Sequence, residues 1–310
     1  MKLVITEPKD FSSEAIDLLK SKYEVITLKN TELLNSVIDD ADVLFVRLGI
    51  ILNQNLLEKA KKLKFICSPT TGLDHVDINY CQKANIQILS LKGEVEFLGS
   101  IPSTAEHTWT LLTAVNRKLN LAQNDVNLKH WNRNKFKTYN LKDKTLGILG
   151  LGRVGKQVAK YALAFGMKVI SYDTDEEQSF EKVESLDHPT DLFSSSDFVS
   201  IHIPLNENNL NFVDASLINQ MKSNACIINT SRGRVWDESS VAQALLSGQI
   251  RGVATDVVYD EVSSSIFESP IFNIDTTKYN CIITPHIAGA TFDSMAMTEI
   301  FIAQKLLKNV

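Results

Sequence analysis

Residues 145–155 read Thr-Leu-Gly-Ile-Leu-Gly-Leu-Gly-Arg-Val-Gly, an apolar run that passes straight into a glycine turn. A helix pattern from Lys156 to Phe165 follows, and a second apolar run, Lys168 to Tyr172, ends at Asp173. Strand, glycine turn, helix, strand and acid in that order make one parallel unit built to hold a dinucleotide. Gly150 permits the tight turn, Gly152 admits a pyrophosphate against the backbone, and Gly155 lets helix and strand pack closely. With Arg153 and Val154, the start of the helix offers unpaired N–H groups and a partial positive charge to phosphates. Asp173 stands 18 residues beyond Gly155, where a carboxylate reaches the adenosine ribose hydroxyls. The same charge repels a 2′-phosphate, so NAD is expected rather than NADP.

The position of this unit constrains the chain further, because about 140 residues precede it, enough for much of another domain. A chain of 310 residues with 44% apolar composition can bury two ordinary cores. The net charge of −5 gives no footprint for nucleic acid or an anionic membrane. No apolar stretch approaches 18 residues, so no membrane partner is expected. Cys67, Cys81, Cys226 and Cys281 show neither CxxC pairing nor metal-ligand spacing. They read as buried reduced thiols, with no metal and a cytoplasmic location expected.

The first hundred residues alternate short apolar runs with helix patterns. Strands are expected at Leu3–Thr6, Val25–Thr27, Val43–Val46, Phe65–Ser68 and Ile86–Leu89, with helices such as Ser12–Ser21 and Asn55–Lys61 between them. Ser103 and Glu106 read as a capping box for a long helix from Thr104 to about Lys118. From Thr145 onward six strands are expected, at Thr145–Leu149, Lys168–Tyr172, Phe198–Ile203, Cys226–Asn229, Gly252–Thr255 and Cys281–Thr284. The tail from Ala290 to Leu307 reads as a helix returning to the first domain. The expected architecture is α/β, with two doubly wound parallel sheets. A Rossmann cofactor domain, 104–285, is inserted into a flavodoxin-like substrate domain made of 1–103 and 286–310.

Open parallel sheets bind ligands beyond the carboxyl ends of their strands. There the second half places Thr230-Ser-Arg232-Gly-Arg, then Asp256 with Glu261 five residues on, then Pro285-His286-Ile-Ala-Gly289. A cation, a carboxylate and an imidazole converge on one rim. Oxidising a secondary alcohol beside a carboxylate needs a base for the hydroxyl proton and a hydride acceptor near the carbon. Imidazole changes charge between pH 5 and 8, which points to His286 as the acid–base group. Glu261 suits the other ring nitrogen, fixing the tautomer and favouring the cation. Arg232 offers a planar fork for a substrate carboxylate.

Gly150 to Gly155, Asn229-Thr-Ser-Arg-Gly-Arg-Val, Ala254-Thr-Asp-Val and Thr284-Pro-His-Ile-Ala-Gly together resemble the D-isomer-specific 2-hydroxyacid dehydrogenases. Thr71-Gly-Leu-Asp74-His-Val-Asp77, Ala105-Glu-His and His202-Ile-Pro-Leu-Asn extend the resemblance over nearly the whole chain. It implies the same roles for Arg232, Glu261 and His286 in exchanging a hydride between NAD(H) and a small 2-hydroxy or 2-oxo acid. It also implies cofactor contacts at Pro204, Thr230, Arg232, His286 and Gly289, with Asp256 near the nicotinamide carboxamide. Backbone N–H groups at Thr71, Gly72 and Leu73 are implied to cradle the substrate carboxylate.

The chain most resembles the phosphoglycerate dehydrogenases without their regulatory extension. That likeness implies Arg47 as a substrate contact, Arg133 near a neighbouring subunit, and a homodimer built by the cofactor domain. The segment from Lys92 to Ser103 is longer than the resemblance implies. Two other readings stay open. An NAD(H)-sensing, corepressor-like binding protein would carry a peptide groove and extra tails. A short-chain reductase would carry Tyr-x-x-x-Lys, but Tyr161 and Tyr172 have Phe165 and Glu176 four positions on.

Overall fold

The computed structural model describes residues 1–261 and 265–309. They form two compact units, one of Met1–Ile101 with Ala290–Val310 and the other of Pro102–Gly289. The first carries strands β1 (Lys2–Ile5), β2 (Glu24–Thr27), β3 (Val43–Phe45), β4 (Phe65–Ser68) and β5 (Gln87–Ser90). All run parallel in the order β2-β1-β3-β4-β5. Alternate side chains serve opposite faces: Leu3 and Ile5 join one apolar cluster, Val4 the other. Burial on both faces is what a sheet with helices on each side requires. The last helix, Phe292–Lys308, sends Ile302, Ala303 and Leu306 into the cluster of Leu3 and Ile5, so the chain's end completes the unit its beginning started.

The second unit holds β6 (Thr145–Leu149), β7 (Lys168–Tyr172), β8 (Val183–Ser185), β9 (Phe198–Ile201), β10 (Cys226–Asn229), β11 (Gly252–Thr255) and β12 (Cys281–Ile283). They are parallel, in the order β12-β11-β10-β9-β6-β7-β8. The direction of winding reverses between β6 and β9, which opens a crevice at their carboxyl ends. Ile227 faces one apolar cluster while Cys226 and Ile228 face the other.

Several local expectations are corrected. The sheet has a seventh strand, β8, at its edge; only three residues long and without a buried side chain, it leaves no apolar run to read. Ser103 is not a cap but the first residue of the Ser103–Asn116 helix, after Pro102, and its hydroxyl is buried without making a capping bond. The helix expected at Asn55–Lys61 spans only Gln54–Leu57, capped by Asn53. His286 to Gly289 group with the second unit rather than the first. The cause is Asp256, whose carbonyl accepts from His286 N and whose carboxylate accepts from Ile287 N and Ala288 N. Ser12 caps the Ser13–Lys20 helix and Asp77 the Ile78–Lys83 helix.

Candidate active site

The glycine loop leaves β6 at the crevice. Gly150 has φ +93°, and a Cβ there would come within 2.9 Å of the His202 carbonyl group, so only glycine fits the turn. At Gly155 a Cβ would stand 2.3 Å from Gly150 O, which fixes glycine where helix meets strand. Gly152 is different: nothing lies within 4 Å of its missing Cβ, and no side chain caps the Arg153–Ala164 helix that it begins. An open glycine before an uncapped helix N-terminus is the cradle a pyrophosphate needs. Val154 turns its side chain to the apolar cluster and leaves the first-turn backbone to the outside. Asp173 Oδ2 accepts from Leu151 N at 2.7 Å, so the acid beyond β7 also braces the glycine loop. These residues fit a dinucleotide.

Beside the loop, removal of the His202 ring from water holds its pKa down at about 3, and Nε2 lies 2.8 Å from Ser200 Oγ. Pro204 is exposed, and its carbonyl accepts from Asn209 Nδ2 at 2.6 Å. Thr230 is buried, its hydroxyl 2.7 Å from that of Thr108. Gly289 has open space where a side chain would stand.

The loops after β10, β11 and β12 bring the reactive groups together. Asn229 shapes the first: its side chain donates to Arg232 O at 3.0 Å and accepts from Ser231 N at 3.0 Å. Arg232 is half-buried in extended backbone, with Nη1 donating to Ser231 O at 2.7 Å. A Cβ on the next residue, Gly233, would overlap Val258 C and O at 2.1 Å, so the β10 and β11 loops touch backbone to backbone. Arg234 pairs with Asp260 and lies over the Tyr259 ring. Glu238, 5% exposed, accepts from Tyr259 N at 2.7 Å and from Ser269 Oγ, tying both ends of the loop that carries Glu261. Burial pushes the Glu238 carboxyl above its ordinary value, against those hydrogen bonds.

Glu261 Oε1 accepts from Val258 N at 3.1 Å, which turns Oε2 toward His286 Nδ1, its hydrogen-bonded partner. A carboxylate only accepts, so Nδ1 carries the proton and Nε2 is the nitrogen left for chemistry. The His286 side chain is 32% exposed and that of Glu261 23%, a half-buried pair. His286 adopts φ +55°, a left-handed conformation costing about 1–3 kcal/mol outside glycine. Asp256 holds it there. Burial raises the Asp256 carboxyl, but bonds from His107, Thr284, Ile287 and Ala288 outweigh it and hold the group below its ordinary value. Asp256 is 1% exposed, and its carboxylate accepts from Ile287 N and Ala288 N.

In the first unit, Thr71, Gly72 and Leu73 follow β4, and among the described residues their N–H groups meet no acceptor. Arg47 is corrected. Its Nε donates to Glu299 at 2.8 Å, its Nη1 to Lys9 O at 2.9 Å, and the guanidinium stacks 5.3 Å from the Phe11 ring centre. Glu299 is fully buried, and the arginine is its ion-pair partner. Sequence reasoning missed His107 and Glu238. Neither lies at a strand end, and only the Ala105-Glu-His match marked the former.

Residues 109–288 match the family described as "D-isomer specific 2-hydroxyacid dehydrogenase, NAD binding domain". The chain is 33% identical to hydroxypyruvate reductase of Thermotoga maritima, over 99% of this chain and 97% of that one. It is 34% identical to D-3-phosphoglycerate dehydrogenase of Methanocaldococcus jannaschii over 99% of its length, but spans only 57% of that protein. Among solved structures, D-lactate dehydrogenase of Aquifex aeolicus complexed with NAD and lactic acid superposes with a TM-score of 0.82. That pair shares 25% identity over 99% of this chain and 96% of the other.

Proposed function

The chain belongs to the D-isomer-specific 2-hydroxyacid dehydrogenases, NAD-dependent oxidoreductases, and on that premise we propose that it interconverts a short, unphosphorylated 2-oxo acid and its 2-hydroxy acid. The observation that carries this reading is the bond from His286 Nδ1 to Glu261, which leaves Nε2 as the proton-transfer atom. NAD(H), held through its pyrophosphate at the glycine loop, would supply or accept the hydride. His286 Nε2 gives a proton to the carbonyl oxygen during reduction and removes it from the hydroxyl during oxidation, help worth about 10²–10⁴-fold. Glu261 keeps the imidazole in one tautomer and balances its charge when both nitrogens are protonated. Arg232 holds the substrate carboxylate by its planar fork and draws charge toward the carbonyl oxygen.

The ion pair of Arg47 with Glu299 favours an unphosphorylated substrate, because the arginine that would speak for phosphoglycerate serves the interior. A screen at 340 nm of glyoxylate, hydroxypyruvate, pyruvate and 3-phosphohydroxypyruvate with NADH tests this. The first two are expected to have the highest kcat/KM, and a preference for the phosphorylated acid overturns the substrate assignment.

The proposal includes a homodimer. Leu119, Val126, Leu128 and Trp131, on and just after the Leu119–Asn127 helix of the cofactor-binding unit, are 57%, 44%, 60% and 91% exposed. A second copy of the chain suits such an apolar face, and equilibrium sedimentation at twice the monomer mass checks it. All four cysteines are buried and free, which suits a reducing cytoplasm. Among the described residues, no helix is long and apolar enough to cross a membrane.

A further inference from the structure

His107 lies on the Ser103–Asn116 helix, one turn before Leu111 and Leu112, which pack with Ile228 of β10 and Ala254 of β11. That packing aims the imidazole at the loops beyond those strands. Its Nε2 stands 3.0 Å from Thr284 Oγ1 and 3.3 Å from Asp256 Oδ1. The protons can be counted. Thr284 has one hydroxyl proton, and at 2.5 Å from Asp256 Oδ1 it is donated there. The carboxylate brings none. Nε2 of His107 therefore bears a proton and shares it between the two oxygens.

The same carboxylate accepts from Ile287 N on Oδ1 at 2.9 Å and from Ala288 N on Oδ2 at 2.7 Å, while Asp256 O accepts from His286 N at 2.9 Å. These bonds secure the left-handed turn at His286, a conformation that an L side chain keeps only when its surroundings hold it. We propose that His107 is a positioning residue for the His286–Glu261 pair, acting through Asp256 and Thr284. Its Nε2–H completes the donor set that keeps the Asp256 carboxylate ionised and oriented in an apolar site. Without it, the carboxylate loses one of its donors, the 286–288 turn loosens, and Nε2 of His286 drifts from its line of approach. The inference rests on the acid–base reading of that pair. It adds a residue whose side-chain contacts are Thr284 and Asp256.

Three variants test it: His107→Leu, which removes the donor; His107→Gln, whose amide nitrogen offers a donor at similar reach; and Thr284→Val, which removes the hydroxyl that donates to the same carboxylate oxygen. His107→Leu and Thr284→Val are expected to lower kcat about tenfold or more, as loss of alignment at a reacting centre does. The NADH dissociation constant is expected to stay within about threefold, and His107→Gln within about threefold of wild-type kcat. Amide hydrogen exchange at Ile287 and Ala288 is expected to speed up in the Leu and Val variants but not in Gln. A Leu variant with unchanged kcat, a Gln variant as slow as Leu, or unchanged exchange at both amides overturns the proposal. Should wild type reduce no 2-oxo acid, the acid–base reading falls; the exchange rates still decide whether His107 holds the turn.

Discussion

Gly233 and Val258 meet backbone against backbone, closely enough that a single methyl group on the glycine would overlap the valine carbonyl at 2.1 Å. That contact locks the loop carrying Arg232 to the loop carrying Glu261. Gly233→Ala is expected to cost about 1–3 kcal/mol of stability by overpacking. Its kcat should fall as well, because the loop that aims Glu261 must move. Urea unfolding beside steady-state kinetics measures both, and a fully active, equally stable alanine variant contradicts this packing.

Arg232→Lys replaces a planar fork with a point charge. The expected outcome is a fall of about 10–100-fold in kcat/KM for the 2-oxo acid, from lost bidentate recognition. NADH affinity, measured by fluorescence titration, should change little. Equal losses in both would make Arg232 a cofactor or fold residue instead.

Asp173 braces Leu151 N and places a negative charge at the end of β7. Asp173→Ser removes the repulsion toward a 2′-phosphate, and the ratio of kcat/KM for NADH over NADPH is expected to drop at least about tenfold, equivalent to about 1.4 kcal/mol. A ratio unmoved by the substitution would mean that another group reads the ribose.

His202 sets a pH dependence of stability. Its ring is neutral in the folded protein, with a pKa lowered from 6.5 to about 3 by burial. Below pH 6.5 the unfolded chain takes up a proton that the folded one does not. Its contribution is therefore complete above pH 6.5 and declines at up to about 1.4 kcal/mol per pH unit until about pH 3. Asp256 adds to acid sensitivity at lower pH: its lowered pKa gives stability present above the ordinary value of 3.8 and lost as pH falls through the folded one. Chemical denaturation of wild type and His202→Asn at pH 7 and pH 5 isolates the first effect. A variant with an unchanged pH slope would place that sensitivity elsewhere.

Much of this organisation can be read from the chain, for physical reasons. Both sheets are buried on two faces, so eleven of their strands stand out as apolar runs bounded by turns. The exception, β8, is an edge strand of three residues in which only Val183 is partly buried, against an apolar cluster. The glycine loop is legible because its geometry demands glycine, and Gly150 and Gly155 show that demand as steric overlap. What stays hidden is pairing across distance. Arg47 finds Glu299 across 252 residues, and His107 finds Thr284 across 177. No local pattern announces either partner: the arginine stands out only as a rim residue, and the histidine only through the Ala105-Glu-His match, which says nothing of its partners.

The central claim is that Nε2 of His286, held by Glu261, moves the substrate proton. The direct measurement is pre-steady-state reduction of glyoxylate or hydroxypyruvate, following NADH at 340 nm, in wild type and His286→Gln with NADH binding titrated on the same samples. The account predicts that the glutamine variant binds NADH within about threefold of wild type, while its hydride-transfer rate falls by about 10²–10⁴-fold. A variant that transfers hydride at the wild-type rate, or that loses NADH affinity and rate in equal measure, contradicts it.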